Sequence, residues 1–237
     1  MKHVSSERPT QACLAWFNLA EFVARGEKER ALSIFRLLSH SLRDEAVVLQ
    51  LEGDILQAFN DERAFESYEK AARLYQKRGE DVQALALYQQ LNELFPSSQE
   101  VLTVLIALYQ KQKNSQRACS AAQQLIALLL KKNAFHEAHT AITLLQIESS
   151  LKAKLHEQLA VALIISPVNR EELFLIRSHI KSALDGYVMG APEDQPKVAA
   201  LLASLAGIDA GLHEFARNYL TALKRDERDD TRTGASK

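Results

Sequence analysis

His136-Glu137-Ala138-His139 is the stretch of this chain closest to a metal-ligating motif. Helical zinc sites of the protease type place two histidines four residues apart, with Glu beside the first, so that both imidazoles share one face. Here the histidines are three apart. That spacing can still share a metal, but it needs a third ligand, and none stands nearby in sequence. Both are therefore read as helix-surface histidines, and the remaining five are scattered over other segments. Nucleophilic and phosphate chemistry find no footing either. Gly-x-Ser-x-Gly, the phosphate loop and Gly-x-Gly-x-x-Gly are all missing, and the eight glycines are too spread to form them. Adjacent carboxylates at Asp61-Glu62 and Asp226-Glu227 fall on turns or tails, where solvated charge is the ordinary explanation. No catalytic, cofactor-binding or metal-binding residue is assigned. The expectation is a non-enzyme without a cofactor.

Composition narrows the class further. Gly (8) and Pro (5) are too few to supply the tight turns of a β-rich protein in 237 residues. Ala, Leu, Gln, Glu, Lys and Arg dominate, the residues that lose least on entering a helix. With 29 basic and 30 acidic side chains, the net charge of −1 argues against a dedicated nucleic-acid binder, which needs a basic surplus. Cys13 and Cys119 lie far apart and fit two buried thiols in a reducing cytoplasm. The uncharged run Ala118 to Leu130 is 13 residues, too short to span a bilayer, so no membrane insertion is expected.

An internal repeat organises the chain. A turn residue, then Ala, then a bulky residue, then Leu recurs as Gly26, Ala31, Phe35, Leu38, as Gly79, Ala84, Tyr88, Leu91, and as Asn133, Ala138, Ile142, Leu145. The first two copies are 53 residues apart at all four positions and the last two are 54 apart. An interleaved series, Asn60, Ala64, Tyr68, Ala71 over Asn114, Ala118, Ala122, Leu125, keeps the 54-residue offset. The reading is a three-helix unit used three times. Helices are predicted at 10–25, 27–40, 44–59, 61–78, 80–95, 98–113, 115–132, 134–148 and 152–166, each with apolar residues at three- and four-residue spacing. Gly26, Gly79 and Asn133 sit where a helix must end in the left-handed conformation. Ser97 with Glu100, and Asn169 with Glu172, read as capping boxes. Alanines 31, 64, 84, 118 and 138 mark places where one helix packs closely on its predecessor.

Past residue 167 the register fails. Predicted helices at 170–188, 196–209 and 212–225 bring the total to about 12 and form a divergent C-terminal cap, because a stack of repeats must hide its last apolar face. The domain expectation is thus 1–167 repeats, 168–225 cap and 226–237 a polar, disordered tail.

Turn residue, Ala, aromatic, small residue and then Pro, within a helix-turn-helix, resembles the tetratricopeptide repeat. The best match runs from Tyr68 through Gly79 to Pro96, with Tyr68, Ala72 and Tyr75 on the first helix. The resemblance covers roughly 10–166 and implies an all-α, right-handed solenoid of helical hairpins that binds other proteins in a groove. Ala72 stands where the family usually has glycine, and the repeat length alternates between about 20 and 34 residues rather than holding at 34. Asn18, Arg73 and Lys77 match only part of the carboxylate clamp of chaperone-tail-binding relatives.

Charge and apolar content locate the expected partner surface. Residues 51–97 carry five basic and nine acidic side chains, while 98–170 carry eight basic and four acidic. The basic region also holds Leu128-Leu129-Leu130 and Ala162-Leu163-Ile164-Ile165, more apolar side chains than one core face uses. The leading expectation is an adaptor or chaperone-like scaffold that holds an amphipathic, acidic protein segment, with Lys111, Lys113, Arg117, Lys131 and Lys132 as partner-binding residues. Self-association or membership of a larger complex is compatible with it. The alternative is a helical nucleic-acid binder using the same basic region, but only Tyr109 supplies an aromatic near Lys111, Lys113 and Arg117.

Overall fold

The computed structural model describes residues 11–166, 173–191 and 194–234. Among them are twelve α-helices and no strand. They are α1 (Gln11–Ala24), α2 (Lys28–Ser39), α3 (Glu45–Ala58), α4 (Arg63–Lys77), α5 (Asp81–Leu94), α6 (Gln99–Lys111), α7 (Ser115–Lys131), α8 (Phe135–Leu144), α9 (Ser149–Ile165), α10 (Leu173–Val188), α11 (Gln195–Ile208) and α12 (Ala210–Gly234). The all-α, helical-hairpin architecture expected from the sequence is the one found. The helices gather into two compact units, Met1–Val101 and Leu102–Lys237.

One turn geometry recurs. Gly26, Asn60, Gly79, Lys113 and Asn133 take φ angles of 74°, 52°, 76°, 56° and 56°. In each case the N–H of the following residue donates back to the carbonyl five positions earlier, Glu80 to Tyr75 for example, at 2.9 Å. This is the hydrogen-bond pattern that closes a helix through one left-handed residue. The five positions are spaced 34, 19, 34 and 20 residues apart, the alternation read from the sequence. At the fourth turn the sequence points to Asn114, yet Lys113 is left-handed. Asn114 is occupied as the cap of α7, its Oδ1 accepting the Arg117 N–H at 3.1 Å.

Other boundaries shift for local reasons. The cap read at Ser97 belongs to Ser98, whose Oγ accepts the Val101 N–H at 3.4 Å, because α6 begins at Gln99. α8 stops at Leu144, and Leu145 turns to extended backbone with its side chain buried. The Asn169/Glu172 box lies outside the described residues. Residues 226–234 continue α12 where composition reads as a disordered tail, since no Gly or Pro interrupts their Arg, Glu and Asp before Gly234. Residues 235–237 lie outside the described residues.

Alanines 31, 64, 84, 118 and 138 are at most 2% exposed, as close helix packing requires. Ala84→Leu is expected to cost about 1–3 kcal/mol through overpacking, read as a lower midpoint in denaturant unfolding; an unchanged midpoint would refute the pairing of α4 with α5.

In the first unit, Gly53 of α3 lies against the ring of Tyr68 on α4, where an added Cβ would stand 2.6 Å from the ring. Tyr68 is fully buried. Its hydroxyl donates to Asp54 Oδ1 at 2.7 Å, lies 2.8 Å from Gln57 Oε1, and accepts from Gln90 Nε2 at 2.9 Å. Burial, reinforced by Asp54, pushes this phenol's pKa up. α3, α4 and α5 thus meet at one hydroxyl.

Candidate protein-binding groove and a buried histidine cluster

The second unit contains an apolar cleft of about 630 Å³. Its walls are Ala127 and Leu130 of α7, Val161, Ala162 and Ile165 of α9, and Ser204 of α11, with Lys154, Glu157 and Gln158 of α9 on the rim. Helical periodicity divides the apolar runs between two tasks. Leu129 and Leu163 are buried in the core, at 2% and 0% exposure, while their neighbours Leu130 and Ala162 face the cleft. Ile165 is 65% exposed, so apolar surface continues to the mouth.

α9 is held from behind by α10. Gly186 brings the α10 backbone so close that a Cβ there would stand 2.5 Å from the Ser149 carbonyl oxygen and 2.8 Å from Ala153 Cβ. The buried Tyr187 hydroxyl donates to Glu157 Oε2 at 2.5 Å, so this rim carboxylate is already engaged. Burial first, then Glu157, raises the Tyr187 pKa. On the α7 side, the Cys119 thiol donates to the Leu151 carbonyl at 3.6 Å, and burial pushes that thiol's pKa up.

Three histidines meet where α8, α9 and α10 pack. His139 Nδ1 is 3.0 Å from His179 Nε2, and His156 Nδ1 is 2.7 Å from His179 Nδ1. The His139 and His179 rings stack edge to face, and those of His156 and His179 lie tilted at 37°. His179 is 1% exposed. Burial, then the charge of Lys152, holds His156 down to about 4, and burial, then its two ring neighbours, holds His179 down to about 3. His179 spends one nitrogen on each neighbour, so the lone pairs do not converge on a point. Correspondingly, no group of three or more metal-ligating side chains is arranged for an ion among the described residues. The sequence reads His136 and His139 alike as surface residues. His136 is exposed, but His139 turns inward, and that reading is corrected for it.

Residues 66–98 match the model of the tetratricopeptide repeat. Over that stretch the chain is similar to a tetratricopeptide repeat. Its two helices are α4 and α5, joined through Gly79, which is the segment singled out in the sequence. Helical-repeat folds of this kind are as a rule non-enzymatic and mediate protein–protein interaction. Among solved structures the chain matches "MamA RS-1 ArsTM double mutant" at 17% identity over 93% of this chain and 97% of that one, with a TM-score of 0.24. No curated protein matches the sequence.

Around this TPR-like framework the five expected partner-binding residues are all exposed but fall at two places. Lys111 ends α6, Lys113 is the left-handed turn residue, and Arg117 lies in the first turn of α7. Lys131 and Lys132 close the other end of α7, about 20 Å away at 1.5 Å per residue. Leu130 of the cleft is next to Lys131, so the second pair adjoins the apolar groove. The histidine cluster and Glu157–Tyr187 have no sequence signature. Their members come from different helices, brought together only by tertiary packing. No described helix is long and apolar enough to cross a membrane.

Proposed function

We propose that the chain is a non-enzymatic, cytoplasmic adaptor or chaperone-like scaffold whose cleft between α7, α9 and α11 holds an amphipathic, acidic segment of a partner protein. The observation that carries this reading is the cleft itself, because the apolar side chains in excess of core needs, Leu130, Ala162 and Ile165, line one concavity with Lys154, and Lys131 and Lys132 follow Leu130 at the end of α7. Glu157, the one carboxylate among the lining residues, already accepts the Tyr187 hydroxyl through Oε2. Apolar anchors would supply most of the affinity, and the lysines would raise the association rate and select against basic partners.

Native-lysate capture with mass spectrometry supplies the partner, and its affinity is then measured for charge-reversed variants. Lys131→Glu with Lys132→Glu is expected to weaken binding roughly tenfold, with the melting temperature little changed. The control reverses Glu66 and Glu69 to Lys, which sit in exposed ion pairs with Lys70 and Arg73 in the other unit. A control that loses binding while the lysine reversal keeps it would place the surface elsewhere. Binding of RNA or DNA in preference to protein would favour the nucleic-acid reading instead.

A further inference from the structure

We propose that the His139–His179–His156 stack is an acid-responsive latch on α9, so that adding protons near pH 5 loosens the cleft wall and releases the segment held there. This rests on the docking reading above for what is released, but the latch itself is argued from the cluster alone.

The proton count explains why the latch closes at neutral pH. Two nitrogen–nitrogen contacts need one N–H each, so a neutral His179 donates through one nitrogen and accepts through the other. The three rings satisfy one another in this form. One more proton places a positive charge among packed side chains, and protonating His179 and His156 together leaves two N–H groups facing each other at 2.7 Å. Surrounding charges offer no relief. On α9, Lys152 adds to the penalty at His156, and Glu157 is turned to Tyr187. On α8, His136 and Glu137 are exposed to solvent. On α10, Lys181 lies over the Phe215 and Tyr219 rings of α12, and Asp185 takes the Tyr219 hydroxyl. From α11, Lys197 pairs with Asp194. From α7, the group at this seam is the Cys119 thiol.

Release is mechanical. α9 carries His156 toward α10 and, on another face, the wall of the cleft. When α9 loosens from α10, Glu157 and the apolar wall move with it. Relative to an open form with ordinary imidazoles at 6.5, the His156–His179 pair together favours opening at least about thirtyfold at pH 5.

Cys119 reports the opening, because its thiol bonds to the first turn of α9 and is buried. With Cys13→Ser it is the only thiol in the full chain. Its labelling by 4,4′-dithiodipyridine is measured at pH 7 and pH 5, each rate divided by that of glutathione. The expected rise is more than roughly tenfold, and less than about twofold when His139, His156 and His179 are all replaced by Gln. No rise, or an equal rise in the Gln variant, overturns the latch. If the Gln variant does not fold, proton resonances of the histidine rings decide in the otherwise natural chain. Two rings must stay neutral well below 6.5, and seven ordinary titrations overturn the proposal. Amide exchange of α3–α5 must stay slow throughout, since simultaneous loss there means general acid unfolding and overturns it as well. None of these readouts uses a partner, so unchanged binding by the lysine reversals would refute the docking reading alone.

Discussion

Gly186→Ala should lower the stability of the second unit by about 3 kcal/mol, even though alanine is the better helix former. In an open helix the exchange would gain up to about 1 kcal/mol from reduced backbone entropy in the unfolded chain. Gly186 is not open. Its missing Cβ is filled by the Ser149 carbonyl oxygen at 2.5 Å and by Ala153 Cβ at 2.8 Å. Neither is the tip of a flexible side chain, so α9 and α10 must separate along the seam that positions Tyr187 and His179. Gly207 of α11 is the matched control, with nothing within 4 Å of a Cβ. Gly207→Ala should be neutral or slightly stabilising in the same denaturant titration. Equal midpoints for the two variants would mean that α9 and α10 are not packed as described.

Acid should soften the two units in sequence. His156 and His179 have pKa values held below 6.5 in the folded chain, so lowering the pH protonates the unfolded chain first. Their contribution is complete above about 6.5 and drains away as pH falls toward about 4 and about 3. At pH 5 the loss for the coupled pair is at least about 2 kcal/mol, which is large against the few kcal/mol that hold a domain together. The first unit behaves differently. There the perturbed acids are carboxylates held low, such as Asp61 by the Arg63 guanidinium and then by Lys28. Their contribution begins to fall only as pH drops toward the ordinary carboxylate value of 3.8. Denaturant midpoints followed separately for each unit should therefore diverge between pH 6.5 and 5, with only the second falling. A parallel decline would remove the cluster as the cause.

Much of the fold was legible because it is periodic. Gly26, Gly79 and Asn133 disclose their turns by residue type, and the alanines disclose close contacts by recurring at the same offset. The cleft was half legible, since an excess of apolar residues in α7 and α9 can be counted, while the wall from α11 depends on tertiary packing. Lys113 was hidden for another reason. Two good turn residues were not available side by side, so Asn114 took the cap and a lysine took the left-handed backbone. The histidines were least visible. His139, His156 and His179 are 17 and 23 residues apart, and no local pattern says that three helices aim them at one point.

The shared hydroxyl of Tyr68 has a consequence for how α4 finds its place. Along that helix Ala64, Tyr68 and Ala72 follow each other at four-residue steps, and all three are buried. Small apolar side chains at one-turn intervals form a nearly smooth rail, on which a helix can slide by about 5.4 Å with little change in hydrophobic contact. Polarity removes that freedom. A slip of one turn would bring an alanine opposite Asp54, Gln57 and Gln90 and lose the hydrogen bonds they share with the Tyr68 hydroxyl, each worth about 0.5–1.5 kcal/mol. It would also drive the Tyr68 ring away from Gly53 and into residues with a Cβ. The tyrosine thus acts as a proofreading pin, rejecting misregistered stacks that the greasy part of the interface would accept.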